Sequence, residues 1–179
     1  MRFESLDITA PGLINEPWNE AAVLGSVTWL WMHSSAHRDA PLHTLPTLLL
    51  PALKHRQFVL GSENGKPVCY LSWLNLDEAA EQRYLQQSPL ALSEADWNCG
   101  ERTWLNDWVA PFGHTAALSR VLHRRLFANK CGRALYHRGE ERGLRIKTFQ
   151  GIGVIPEQAK AWFAAHPVAT AMAFKTSPL

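Results

Sequence analysis

The sequence contains no run approaching the roughly 20 apolar residues a spanning helix needs, so no membrane span is expected. Its opening, MRFESLDITAPGLINEP, carries Glu4 and Asp7 and no apolar run before Pro11. That is not a secretory leader, and with no other address a cytoplasmic location is expected. Cysteine is scarce: Cys69, Cys99 and Cys131 are odd in number and lie 30 and 32 residues apart. Such spacing makes neither a disulfide framework nor a zinc ribbon, which leaves buried or incidental thiols. No repeat and no flexible linker divides the 179 residues, a length that suits one sizeable core. A single domain over 1–179 is expected, with residues 1–17 an extended lead-in.

Phosphate-cradling loops are also missing. Gln150-Gly151-Ile152-Gly153 has glycines but neither the Walker Lys-Ser/Thr nor the dinucleotide fingerprint. It lacks the Arg/Gln-x-x-Gly-x-Gly/Ala loop of common N-acetyltransferases as well, because Thr148 stands three before Gly151. This counts against a standard coenzyme A donor. His33 and His37 have i,i+4 spacing and His43 is near, but Ser34, Ser35 and Ala36 intervene where an HExxH site has its glutamate. No metal is expected.

What the sequence does have is a charge asymmetry under a formal net charge of +2. Residues 1–117 carry 7 basic and 13 acidic side chains, whereas Leu118–Lys147 carries 9 basic and 2 acidic. A positive segment of this kind attracts an acidic partner; the plain alternative is a solvated helix face and hairpin. Nucleic acid is not expected, since no zinc-finger spacing or single-strand-binding module accompanies the charge.

The patterning predicts an α/β fold. Asn19 caps a helix from Glu20 to near His33 with a Val23, Val27, Leu30 stripe. A second helix through the forties presents Leu45, Leu48, Leu49 and Leu53, interrupted by Pro46 and Pro51. A hairpin turns at Asn64-Gly65, and residues 77–87 form a short helix. Trp104–Val109 reads as a strand and Thr115–Phe127 as a helix with Arg120 and Arg124 on one face. Arg133–Tyr136 and Leu144–Phe149 read as further strands, followed by a helix over Gln158–Ala165. One mixed sheet covered by helices buries these stripes.

Two charged residues stand out. Strand alternation puts Asp107 with Leu105 and Val109 on one face, where a carboxylate between apolar neighbours must be paired or hydrogen-bonded. Catalysis and a structural salt bridge both satisfy that demand. His37 follows a helix end, and histidine there can act as a general base. The two residues gain meaning together, because a base needs an orienting carboxylate.

The chain also carries Leu24-Gly25-Ser26-Val27-Thr28-Trp29-Leu30-Trp31, Ser34-x-x-His37-Arg38, Pro67-Val68-Cys69-Tyr70-x-Ser72-Trp73 and Trp97-x-x-Gly100-x-Arg102-x-Trp104. Most specific is Asp107-Trp108-Val109-Ala110-Pro111-Phe112-Gly113. Over roughly residues 21–149 these strings resemble the toxin-activating lysine acyltransferases, which fatty-acylate RTX pore-forming toxins. The resemblance implies a GNAT-like fold, cytoplasmic location, homodimers and catalysis by His37 and Asp107 with Ser34 in support. It implies no bound cofactor, acylated acyl carrier protein as the donor and internal lysines of an RTX-type protoxin as acceptors. That donor makes Arg120, Arg124, Arg125 and Arg133 of the positive segment its expected docking residues. Where some members of the family have an asparagine eleven residues after the histidine, this chain has Leu48, which offers no side-chain hydrogen bond. The departure keeps open a non-catalytic protein that binds the carrier or the protoxin.

Overall fold

The computed structural model describes residues 1–87, 89–136 and 145–169. Their strands form one seven-stranded sheet in chain order. They are β1 (Arg2–Phe3), β2 (Leu6–Thr9), β3 (Phe58–Glu63), β4 (Lys66–Leu76), β5 (Arg102–Val109), β6 (Cys131–Tyr136) and β7 (Arg145–Gln150). The helices are α1 (Glu20–Met32), α2 (Leu45–Leu48), α3 (Leu50–Lys54), α4 (Glu78–Gln86), α5 (Thr115–Val121) and α6 (Pro156–Ala165). This is the expected α/β class, and it fits a GNAT-like arrangement. Neighbouring strands are antiparallel except β5 and β6, which run parallel. A parallel pair requires a crossover; α5 and the π-helical turn Leu122–Leu126 provide it.

Local chemistry accounts for most of these elements. The Asn19 side chain accepts the Ala22 N–H at 2.8 Å and starts α1, whose Val23, Val27, Leu30 and Trp31 are buried. Pro46 and Pro51 each lie in the first turn of a short helix, where a missing N–H costs nothing. The single helix expected through the forties is therefore two short ones, with Leu49 and Leu53 fully buried. Asn64 and Gly65 both take positive φ, 52° and 77°, as the tight β3–β4 turn demands. The expected lead-in over residues 1–17 is partly sheet: Asp7, Ile8 and Thr9 pair with β3. Leu6 and Ile8 alternate inward and are buried.

Two apolar layers sandwich the sheet. Beneath α1, α3 and α4 lie Phe58, Tyr70, Leu74, Trp104 and Val109. Across the sheet, Leu71, Trp73 and Leu105 meet Leu118, Val121 and Phe127 of the crossover. Among the described residues no helix is long and apolar enough to cross a membrane.

The register slips once where it matters. Leu71 pairs with Trp108 and Trp73 with Leu105, so Ser72 alone opposes both Asn106 and Asp107. This β-bulge shifts the side-chain alternation by one. Before it, Trp104 faces the α1 layer and Leu105 the other; after it, Trp108 faces the crossover and Val109 the α1 layer. The expectation that Leu105 and Asp107 share a face is thus wrong. Strict alternation would have aimed Asp107 at the crossover, and the extra residue turns it toward α1.

Candidate active site

The end of α1 and the bulge in β5 build the site between them. Past Met32 the chain turns back on itself, with the His37 and Arg38 N–H groups both bonded to the Ser34 carbonyl at 3.0 and 2.9 Å. That turn brings Ser34 Oγ to 2.8 Å from His37 Nδ1. On the far side of the ring, His37 Nε2 lies 2.9 Å from Asp107 Oδ1. The indole Nε1–H of Trp31 donates to Asp107 Oδ2 at 3.2 Å, and the Trp31 and His37 rings lie 5.0 Å apart. Both oxygens of the carboxylate are therefore bonded, which answers the cost of setting it among apolar neighbours.

The carboxylate also fixes the imidazole. Asp107 can only accept, so Nε2 carries the proton and Nδ1 presents its lone pair to the Ser34 hydroxyl. Ser34, His37 and Asp107 then form one donor-to-acceptor chain. His37 and Asp107 remain partly open, with 21% and 14% of their side-chain surfaces exposed. Together with Trp31, Leu48 and Asn106 they line a cavity of about 190 Å³. Such an arrangement can take a proton from an incoming nucleophile and hold the resulting imidazolium against a carboxylate.

Burial keeps Tyr70 and the three thiols neutral. Burial, followed by the negative charge of Asp107, pushes the Tyr70 phenol well above its ordinary range. Burial pushes the Cys69 thiol up to about 12, and it raises Cys131 and Cys99 too. A thiol nucleophile acts as thiolate, and no cysteine lines this cavity.

Other candidate residues lie elsewhere. The His33 ring bonds the Trp29 carbonyl at 2.8 Å and lies against Trp29 and Phe112. The N–H groups of Gly151, Ile152 and Gly153 are bonded to the carbonyls of Lys130, His123 and Ala128, so they are not free to cradle a phosphate. A Cβ at Gly151 would stand 2.0 Å from the Phe127 carbonyl oxygen; close backbone packing explains that glycine.

The positive segment divides. Arg124 and Arg125 are exposed, and Arg120 makes a bidentate pair with Glu4 at 2.9 and 2.7 Å. Arg133 is a correction: it is 3% exposed, so it cannot be a surface docking residue. Its guanidinium bonds the His166 carbonyl and sits 3.6 Å from Glu81, under the rings of Trp104, Trp162 and Phe163. The part of the segment over residues 137–144 lies outside the described residues.

Two lining residues were not singled out for chemistry from the sequence. Trp31 is a buried residue of α1 whose N–H completes the Asp107 shell. Asn106 reads as facing away from Asp107 until the bulge is known.

Residues 16–150 match the profile described as the RTX toxin acyltransferase family. The chain is 38% identical over 154 residues to the protein-lysine palmitoyltransferase CyaC of Bordetella bronchiseptica, spanning 85% of this chain and 82% of that one. It is 39% identical over 133 residues to the RTX-I toxin-activating lysine-acyltransferase ApxIC of Actinobacillus pleuropneumoniae (74% and 76%). It is 35% identical over 143 residues to the protein-lysine myristoyltransferase RtxC of Kingella kingae (80% and 84%). The chain belongs to the RTX toxin acyltransferase family.

Proposed function

We propose that this protein is a protein-lysine acyltransferase that moves a fatty acyl group from acylated acyl carrier protein to lysine ε-amines of an RTX-type protoxin. We place the carrier, the protoxin and a second copy of the chain as its partners, at a cytoplasmic location. The observation that carries the reading is the Ser34–His37–Asp107 chain opening on a small, mostly apolar cavity.

A lysine with an ordinary pKa near 10.4 attacks only as the free amine. In this reaction the amine nitrogen bonds the thioester carbonyl carbon. The amine proton passes to His37 Nδ1, directly or through the Ser34 hydroxyl that occupies it. The C–S bond then breaks, the thiolate takes up the proton from His37, and an amide remains. Asp107 steadies the imidazolium while it lasts, and Trp31 holds the other carboxylate oxygen.

Leu48 on the cavity wall motivates the second reading, a binding protein without turnover. Mixing the pure chain with acylated carrier and a lysine-bearing toxin fragment, then weighing the fragment, separates the two. A gain of one acyl mass is expected. Binding without mass gain would overturn transfer and leave the scaffold reading.

A further inference from the structure

Asn106 occupies a position in the cavity that the acyl transfer derived above leaves unused. Its Nδ2 donates to Ser72 Oγ at 3.5 Å, while its Oδ1 has no hydrogen-bond partner among the described residues. The other lining side chains cannot fill the same role. Trp31 Nε1–H is committed to Asp107 Oδ2, His37 Nε2 and Asp107 Oδ1 bond each other, and Leu48 has no polar atom. His37 Nδ1 is taken by the Ser34 hydroxyl, so Asn106 Oδ1 is the one neutral side-chain acceptor among these five lining residues that no other described side chain occupies. The bulge explains its placement, since Asn106 and Asp107 share Ser72 as their partner on β4, and an inserted residue re-aims neighbouring side chains.

We infer that Asn106 Oδ1 binds the attacking amine, an inference that rests on the acyl-transfer reading. A neutral amine has two N–H bonds and one lone pair. When the lone pair bonds the thioester carbon, the nitrogen becomes positive and each N–H seeks an acceptor. One proton goes toward His37. Asn106 Oδ1 accepts the remaining N–H, which orients the lone pair and stabilises charge that develops only during attack. With its Nδ2 directed at Ser72 Oγ, the carboxamide leaves Oδ1 as the atom for a ligand in the cavity that Asn106 lines. The ligand class is thus a primary alkylamine at the end of a flexible chain.

Two variants and two readouts test this. Asn106→Leu removes both polar atoms at similar volume; Asn106→Asp keeps an oxygen and removes the N–H₂. With acylated carrier and a lysine peptide, N106L should lower kcat/KM for the peptide by about ten- to a hundredfold. KM for the carrier should stay unchanged, and N106D should retain more activity than N106L. Activity of N106L within about twofold of the parent, or N106D no better than N106L, would overturn the assignment; the latter outcome would give the role to the N–H₂ group. The second readout does not need turnover. The Trp31 indole N–H resonance is followed while n-butylamine is titrated into parent and N106L protein. At least about fivefold weaker binding to N106L is expected, and equal affinity would overturn the inference. A parent that binds butylamine through Asn106 yet transfers no acyl group would sink the acyltransferase reading alone.

Discussion

The molecule holds two charged constellations on the α1 face of its sheet, and the more deeply buried one is not the candidate active site. Glu81 is 0% exposed and accepts from Trp104 Nε1 at 2.7 Å, Arg102 Nη1 at 2.8 Å and the Ala169 N–H at 3.0 Å. Arg102 and Arg133 neutralise it; Arg102 Nη1 also donates to the Pro167 carbonyl and Arg133 Nη2 to the His166 carbonyl. Every strong group there is directed at the protein, and the cluster ties α4, β5 and β6 to the stretch after α6. At His37 and Asp107 the partners are fewer, the exposure greater, and a cavity adjoins. Burial of charge marks where a fold is locked. Chemistry needs charge that is oriented but still reachable.

Replacing His37 with alanine should sharpen this contrast most. Transfer should fall by up to about ten-thousandfold, the upper range for losing a positioned general base, while the thermal midpoint stays near that of the parent. His37 touches Ser34, Asp107 and Trp31 at the surface of the core rather than within it, so little packing is lost. Transfer close to the parental rate by a folded H37A protein would remove His37 from the reaction.

The opposite pattern is expected at the lock. Glu81→Gln leaves Arg133 buried without its counter-charge and Arg102 with only the exposed Glu78 at 3.4 Å, and removing one partner of a buried pair typically costs about 3–5 kcal/mol. Denaturant unfolding should show that loss, whereas transfer per folded molecule should remain parental. A folded E81Q protein of parental stability but impaired turnover would break the comparison, because the two constellations would then be coupled.

Most of the scaffold behind this contrast is legible in the sequence, and the exceptions share a cause. Asn19, Asn64-Gly65 and the prolines act through their own backbone, so local chemistry reveals them. His37 and Asp107 can be singled out because each is an unusual residue in its own segment. The β5 bulge is different, since it depends on how β4 and β5 align, and no local signal at Asn106 records that. Glu81 is similar: within Asp77-Glu78-Ala79-Ala80-Glu81 it reads as one more solvated acid. Only its place on the face of α4 shared with Ala80, Tyr84 and Leu85 could have hinted at burial. Arg133 went wrong for the same reason, because counted charge in a segment does not reveal which arginines the fold removes from solvent.

A smaller effect should come from Trp31→Phe, which keeps an aromatic ring and removes one N–H from Asp107 Oδ2. A bond from a neutral donor to a charged acceptor is worth about 1.5 kcal/mol at the low end. Turnover should therefore fall by roughly tenfold. Single-turnover kinetics would check this, and an unchanged rate would show that His37 alone suffices to orient the carboxylate.

The smallest change is expected at the surface, where the positive segment is proposed to recruit an acidic carrier. With Arg133 buried and Arg120 paired to Glu4, Arg124 and Arg125 are the two expected docking arginines that stay exposed. Arg120 remains the weaker probe, because reversing it would also set a glutamate against Glu4. Reversal of both Arg124 and Arg125 to glutamate should slow carrier association by about two- to fivefold at low salt, with dissociation little altered. The difference should shrink near physiological ionic strength, where the Debye length is about 8 Å and exposed charges no longer act at long range. A buried contact would behave in the opposite sense, raising dissociation and responding weakly to salt. Stopped-flow binding at two ionic strengths distinguishes these cases. Identical association by parent and variant at both would show that the carrier docks elsewhere, leaving the His37–Asp107 chemistry intact and the arginines as a solvated face.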